Sequence, residues 1–343
     1  MKRLKPLVVL GSILFIVTLL IPTLLVLPFT DKTHGTLVEE LKPQVMSAPE
    51  VKNQSSIDIP VYRSVEKKIE NIPLEQYVVG VVASEMPAEF ESEALKAQAL
   101  AARTYVVRIL LSDTKLGTPE GAKLTDSFKE FQAYKDMEEL KAQWKGDFDT
   151  KIAKITEAVN ATSGQILVYD GSPIDASFFS TSNGYTENSE EYWTNEIPYL
   201  RSVASPWDEK SPKFTNAVSI SVSDFEAKLG VKLPSKGDIG KIISRTKGGR
   251  IGVVQVGGKE MKGPDVRDAL GLNSSDFNWE RKGNEILITT KGYGHGVGMS
   301  QYGANGMAQE GKTYQDIVTH YYKGIEISNI EPFINDITAQ ISK

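Results

Sequence analysis

The chain has 343 residues, 40% of them hydrophobic and 24% charged, with a formal net charge of -5. This is globular composition with room for one large domain or two, and the acidic balance argues against a nucleic-acid partner, which needs a basic surface. There is no cysteine, which excludes disulfides, thiol nucleophiles and cysteine-based zinc sites together.

Lys2, Arg3 and Lys5 precede an uncharged run from Pro6 to Thr30. A run of that length spans a bilayer as a helix, and the flanking cations put residues 1–5 in the cytoplasm and everything after Asp31 outside. The alternative is a cleaved signal peptide. Against it, the apolar run is longer than a signal core and no small-x-small cleavage site follows closely. The expectation is a single-pass membrane protein with a signal-anchor at 6–30 and a polar extracytoplasmic stalk at 31–61.

The folded region is expected from Tyr62. In "PLEQYVVGVVASEM", Leu74, Tyr77, Val78 and Val81 recur at helical spacing, and Pro87 disfavours helix at Met86. "ESEALKAQALAARTYVVRILL" carries Ala94, Leu95, Gln98, Ala101, Ala102, Tyr105 and Ile109 on one stripe, with alanines that permit close packing. Residues 112–135 are mixed and polar. A helix follows over Asp149–Ala161, then a hairpin in "QILVYDGSPIDASFFS" turning at Asp170-Gly171. The loop "TSNGYTENSEEYWTNEIPYLRSVASPWD" is too polar for core and too aromatic for a plain linker. Beyond Asn216, strands punctuated by Gly-Gly turns mix with short helices without steady βαβ alternation. The fold class expected is α+β, with largely antiparallel strands, packed helices, and an active-site cleft between subregions.

"GYGHGVGMSQYGANGMAQEGKT", Gly292 to Thr313, supports three readings. Gly306–Thr313 matches the phosphate-loop pattern, but "MSQYGAN" is not a buried strand, and Gly311 and Thr313 read better as a helix end and a helix cap. Ser300 follows a strand and glycines, but nucleophile-elbow spacing is absent and no acid near His295 in sequence orients it. The third reading is a ligand surface. Alternating glycines allow close backbone approach, and His295, Ser300, Gln301 and Tyr302 offer polar groups and a flat ring suited to a sugar chain.

Glu85 stands where a helix meets Met86-Pro87, beside Val81, Val82, Met86 and Phe90. Desolvation there would raise its pKa and suit it to general acid chemistry; a solvated helix-end glutamate is the competing reading. Glu89, Glu91 and Glu93 read as first-turn helix charges. Arg103 is a natural partner for a carboxylate or a substrate.

Three blocks, "LEQYVVGVVASEMPAEFESEALKAQALAARTYVV", "IPYLRSVASPWD" and "GYGHGVGMSQYGANGMAQEGKTYQDIVTHYYKGI", together resemble the stage II sporulation protein D family of endospore-forming bacteria. The likeness runs over 62–330, leaving 331–343 as a C-terminal tail. It implies a membrane-bound lytic transglycosylase that cuts the β-1,4 bond between N-acetylmuramic acid and N-acetylglucosamine in peptide-free peptidoglycan strands, leaving 1,6-anhydro ends. It carries the catalytic role to Glu85 and substrate-binding roles to Arg103, Tyr199, Arg201, His295, Ser300, Gln301 and Tyr302. It implies as partners a sporulation amidase and a multispanning membrane protein, working at the septum during forespore engulfment. Some relatives bind zinc where this chain has Phe178, Phe179, Ser180, Thr181 and Ser182; without cysteine, no metal and no cofactor is expected. A non-catalytic, amidase-activating wall protein and a hydrolysing muramidase remain as alternatives. Whether Asp175 or Glu187 is a second carboxylate beside Glu85 stays open.

Overall fold

The computed structural model describes residues 49–52, 57–112, 117–127, 131–235 and 237–342. The expected signal-anchor and most of the stalk lie outside them; among the described residues no helix is long and apolar enough to cross a membrane.

The first strands are β1 (Asp58–Arg63) and β2 (Lys68–Pro73), an antiparallel pair. Ile57, Ile59 and Val61 are buried, so the packed region begins ahead of the boundary expected at Tyr62. Helix α1 (Leu74–Glu85) follows directly and ends where Met86 turns extended ahead of Pro87. It is buried on nearly all sides, as a core helix is, rather than on one stripe. Helix α2 (Ser92–Leu111) is the central element. Its alanines let neighbours approach from several directions, and it packs against α1 and the later helices.

After β3 (Leu124–Thr125), which pairs with β1, come α3 (Met137–Trp144) and α4 (Phe148–Ala161). Gly80 in α1 shows how tightly the segment before α3 lies. A Cβ there would stand 2.5 Å from both the Lys135 carbonyl and the Tyr134 ring. Strands β4 (Gln165–Tyr169) and β5 (Ser172–Pro173) form the expected hairpin, with Asp170 and Gly171 at φ 48° and 73°. The "FFS" end departs from that expectation. It forms β6 (Phe178–Phe179), which leaves the hairpin to pair elsewhere.

Beyond the short helix α5 (Ser189–Tyr192) and a 3-10 turn at Pro206–Lys210, residues 215–291 build a module with its own core. It contains β7 (Thr215–Ser221), α6 (Val222–Leu229), β8 (Gly240–Arg245), β9 (Ile251–Val256), β10 (Lys259–Lys262), α7 (Gly263–Leu270), β11 (Phe277–Lys282) and β12 (Glu285–Lys291). Two antiparallel sheets, ordered β10-β9-β8 and β11-β12-β7, close over Phe225, Val254, Val266, Phe277 and Ile288. The chain then rejoins the larger core through β13 (Met299–Ser300), α8 (Gln301–Gln309), α9 (Tyr314–Tyr321), β14 (Glu326–Asn329) and α10 (Ile334–Ile341). β13 pairs in parallel with β6, and β14 pairs with β4. The expected C-terminal tail is partly this last helix, with Ile337 buried and α10 packed on α2. The architecture is α+β with antiparallel sheets and packed helices, as expected.

Candidate active site

The C-terminal end of α1 brings Glu85 to the wall of a cleft of about 460 Å³. Tyr105 of α2, Phe131 and Gln132 line it with Glu85; Ala176 to Ser180, Tyr293 to His295, Lys213 and Gln301 complete it. Glu85 is half-buried, and its Oε1 accepts the Ala133 N–H at 2.9 Å. Burial pushes its carboxyl above the ordinary range, against the opposing influence of Ala133 and Gln301. Tight packing at Gly80 holds the 131–136 segment where it supplies that donor.

Gln301 arrives by a chain of local causes. Ser300 caps α8, accepting the Gly303 N–H at 3.2 Å, and donates to Asp208 Oδ1 at 2.6 Å. Asp208 also accepts from Ser182 N–H, Ser182 Oγ and Ser205 Oγ, at 2.9, 2.8 and 2.6 Å. Three separate loops are thereby fastened at one buried point, and the first residue of α8 faces Glu85. The Gln301 carboxamide stands close enough to lower the Glu85 pKa, yet its Nε2 reaches no full hydrogen bond. Both amide atoms of Gln132 are likewise buried and unpaired among the protein atoms. The cleft thus holds polar capacity that the fold itself does not use.

The alternating glycines answer to backbone approach. Gly298 sits at φ 82°, and a Cβ there would stand 1.9 Å from the Ser177 carbonyl; at Gly296, φ 91°, it would meet the Arg250 guanidinium at 2.4 Å. Just before Gly296, His295 packs among Phe179, Tyr192 and Trp193, each ring centroid 5.6 Å away. Its Nδ1 accepts the Val297 N–H at 3.1 Å, which leaves the proton on Nε2. Burial, then the Arg267 and Arg250 charges, lower its pKa to about 4. His295 is therefore a neutral wall residue near neutral pH, with no imidazolium proton to give as a general acid. The phosphate-loop match dissolves into helix punctuation: Gly311 follows α8 at φ 82°, and Thr313 caps α9 in a capping box with Asp316.

This frame matches the family model described as "Stage II sporulation protein" over residues 62–169. Over 335 residues the chain is 53% identical to stage II sporulation protein D of Bacillus subtilis (strain 168), covering 96% of this chain and 97% of that one. The chain belongs to the stage II sporulation protein D family. The Bacillus amyloliquefaciens protein of the same name is 49% identical, covering 98% of this chain and 99% of its own. A protein named amidase enhancer, also from Bacillus subtilis (strain 168), is 28% identical over 73% of this chain and 40% of its own.

Among the residues that the family resemblance pointed to, Glu85, His295 and Gln301 share the cleft. Tyr302 lies at its margin, edge-on to Phe90 and near Lys213. The other four do not line the cleft. Arg103 is fully buried and grips Glu75 through two bonds of 2.8 and 2.6 Å, with a third to the Gln165 carbonyl, so it ties α1, α2 and β4 together. Arg201 binds Glu190, Glu196 and Ser189 and braces its own loop. The Tyr199 hydroxyl accepts the Asp175 N–H, and its ring packs on Tyr169. Ser300 is closed to solvent beneath the cleft. Neither open carboxylate reaches the cleft either. Asp175 binds Ser177 Oγ and Arg108, while Glu187 is buried against Gly248, Thr246 and Arg250. Tyr105, Gln132 and Lys213 escaped sequence reasoning. Tyr105 reads as core on its stripe, and the other two sit in polar stretches without periodicity.

Proposed function

We propose that this chain is a peptidoglycan lytic transglycosylase that cuts peptide-free glycan strands to 1,6-anhydro-N-acetylmuramic acid ends during forespore engulfment. The observation that carries this reading is a single carboxyl, Glu85, desolvated toward its protonated form in a cleft with no second carboxylate among its described lining residues. Hydrolysing glycosidases divide acid and base or nucleophile between two carboxyl groups. One suffices when the nucleophile belongs to the substrate. Glu85 gives its proton to the oxygen leaving C1 of N-acetylmuramic acid. The 6-hydroxyl of the same sugar then closes on C1, and the Glu85 carboxylate takes that hydroxyl's proton, which restores the acid. The unpaired amide of Gln132 and the Gln301 Nε2 suit N-acetyl groups, and the aromatic side chains suit pyranose faces. Family membership supports the sporulation setting. The reading adds to it the signal-anchor at 6–30, a catalytic region outside the cytoplasm, and an amidase and a multispanning membrane protein as partners.

Digestion of peptide-free strands by the full chain, followed by mass spectrometry of the new ends, tests the reading. Anhydro ends are expected from the wild type and none from Glu85→Gln. Reducing ends instead would make it a hydrolase. Likeness to the protein named amidase enhancer favours a second reading, a wall-binding activator of an amidase without its own catalysis. That reading predicts identical traces from wild type and Glu85→Gln.

A further inference from the structure

Lys213 is the one lysine or arginine among the described residues lining the cleft. No carboxylate among the described residues forms an ion pair with it, in a chain that is acidic overall. Its Nζ lies 5.2 Å from the centroid of the Tyr293 ring and 5.9 Å from that of Tyr302. Aromatic faces hold the ammonium and its alkyl stem in place without neutralising the charge. Tyr293 itself is 42% exposed at the cleft, a flat apolar surface left open beside a fixed cation. Lys213 lines the same cleft as Glu85 without an ion pair between them, which leaves its ammonium to meet a ligand bound there.

A flat ring with an adjoining cation is complementary to a sugar that carries its own acid group. Of the two sugars in the glycan, N-acetylglucosamine is uncharged. N-acetylmuramic acid bears a lactyl carboxylate, which is free only when the stem peptide is gone; with the peptide in place it is a neutral amide. We infer that Lys213 reads the free lactyl carboxylate of a peptide-stripped N-acetylmuramic acid whose ring rests on Tyr293, and so selects stripped strands over peptide-bearing ones. The inference rests on the glycan-cleaving reading above and gives its substrate preference a residue.

The test is a binding titration of the full chain in detergent, carrying Glu85→Gln to stop turnover. Three probes of equal length separate charge from shape: peptide-free glycan oligomers, the same oligomers with lactyl carboxylates converted to methylamides, and chitin oligosaccharides. Lys213→Met keeps the stem on the rings and removes the charge. It is expected to weaken the peptide-free glycan about tenfold, to change the other two by less than about twofold, and to be largely rescued by Lys213→Arg. Equal weakening of all three probes, or of none, overturns the inference. So does peptide-bearing glycan that binds as tightly as stripped glycan. With Glu85 intact, Lys213→Met is expected to raise KM and spare kcat. Failure to find anhydro ends would sink the transglycosylase reading and leave the binding comparison standing.

Discussion

Ser300 Oγ donates a 2.6 Å hydrogen bond to Asp208 Oδ1, and both side chains are closed to solvent. Through this bond the residue that caps α8 is fastened to the turn at 206–210, and Gln301 follows it into the cleft opposite Glu85. Replacing Asp208 with alanine removes the acceptor of four hydrogen bonds at once. A loss of about 3 kcal/mol is expected, since each buried donor left unpaired costs about 1–3 kcal/mol and relaxation recovers part of the sum. Denaturant unfolding measures it. Cleavage should fall further than stability explains, because Gln301 loses its anchor; retained activity at full stability would contradict this account.

Arg103 serves the fold rather than the substrate. Removing it leaves Glu75 as an uncompensated buried charge, so Arg103→Ala should cost about 3–5 kcal/mol, while a double change to well-packed apolar residues should recover much of that. A thermal unfolding series of the single and double variants reads the coupling. If Arg103→Ala unfolded like the wild type and failed only to bind glycan, its assignment to the core would be wrong.

Glu85 links activity and stability to pH with opposite uses of one shift. Its folded pKa lies above its unfolded value because burial disfavours the carboxylate. As a general acid it works protonated, so kcat/KM should fall as pH rises through the raised folded pKa. The same group stabilises the fold most below its unfolded pKa, and that contribution is lost as pH rises through the folded one. Glu85→Gln should therefore be more stable than wild type at neutral pH, and the gap should close in acid. Parallel melting curves across this window decide it.

His295 should not titrate in the working range. Its pKa of about 4 follows from burial among three rings beside two arginines. An NMR titration of its ring should show a midpoint near that value, with the Nε2–H tautomer above it. In the pH–rate profile, His295→Gln should lower activity without moving the alkaline limb. A shifted limb would return His295 to acid–base chemistry.

Local pattern was legible where the physics is local. Pro87 ends α1, Asp170-Gly171 turns a hairpin, and Thr313 caps α9, because each depends on backbone angles or on partners within a few residues. The helix α2 was equally plain, although its burial runs all round from Ala97 to Thr104 rather than along the expected stripe. Arg103 read as a partner for a carboxylate or a substrate, and only the fold shows that Glu75, 28 residues away, is the group that takes it.

By itself the sequence determined the α+β class and the kinship of the chain. These rest on composition, order and nearest neighbours. Only the tertiary structure decided which polar residues face the cleft. Arg201, Ser300 and Lys213 are alike to a sequence reader as polar groups near motif positions. One is spent on Glu190, one on Asp208, and one keeps its charge over two tyrosine rings. The difference lies in partners brought together from distant segments, and no local pattern encodes which hydrogen bonds and ion pairs the fold consumes and which it leaves for a ligand.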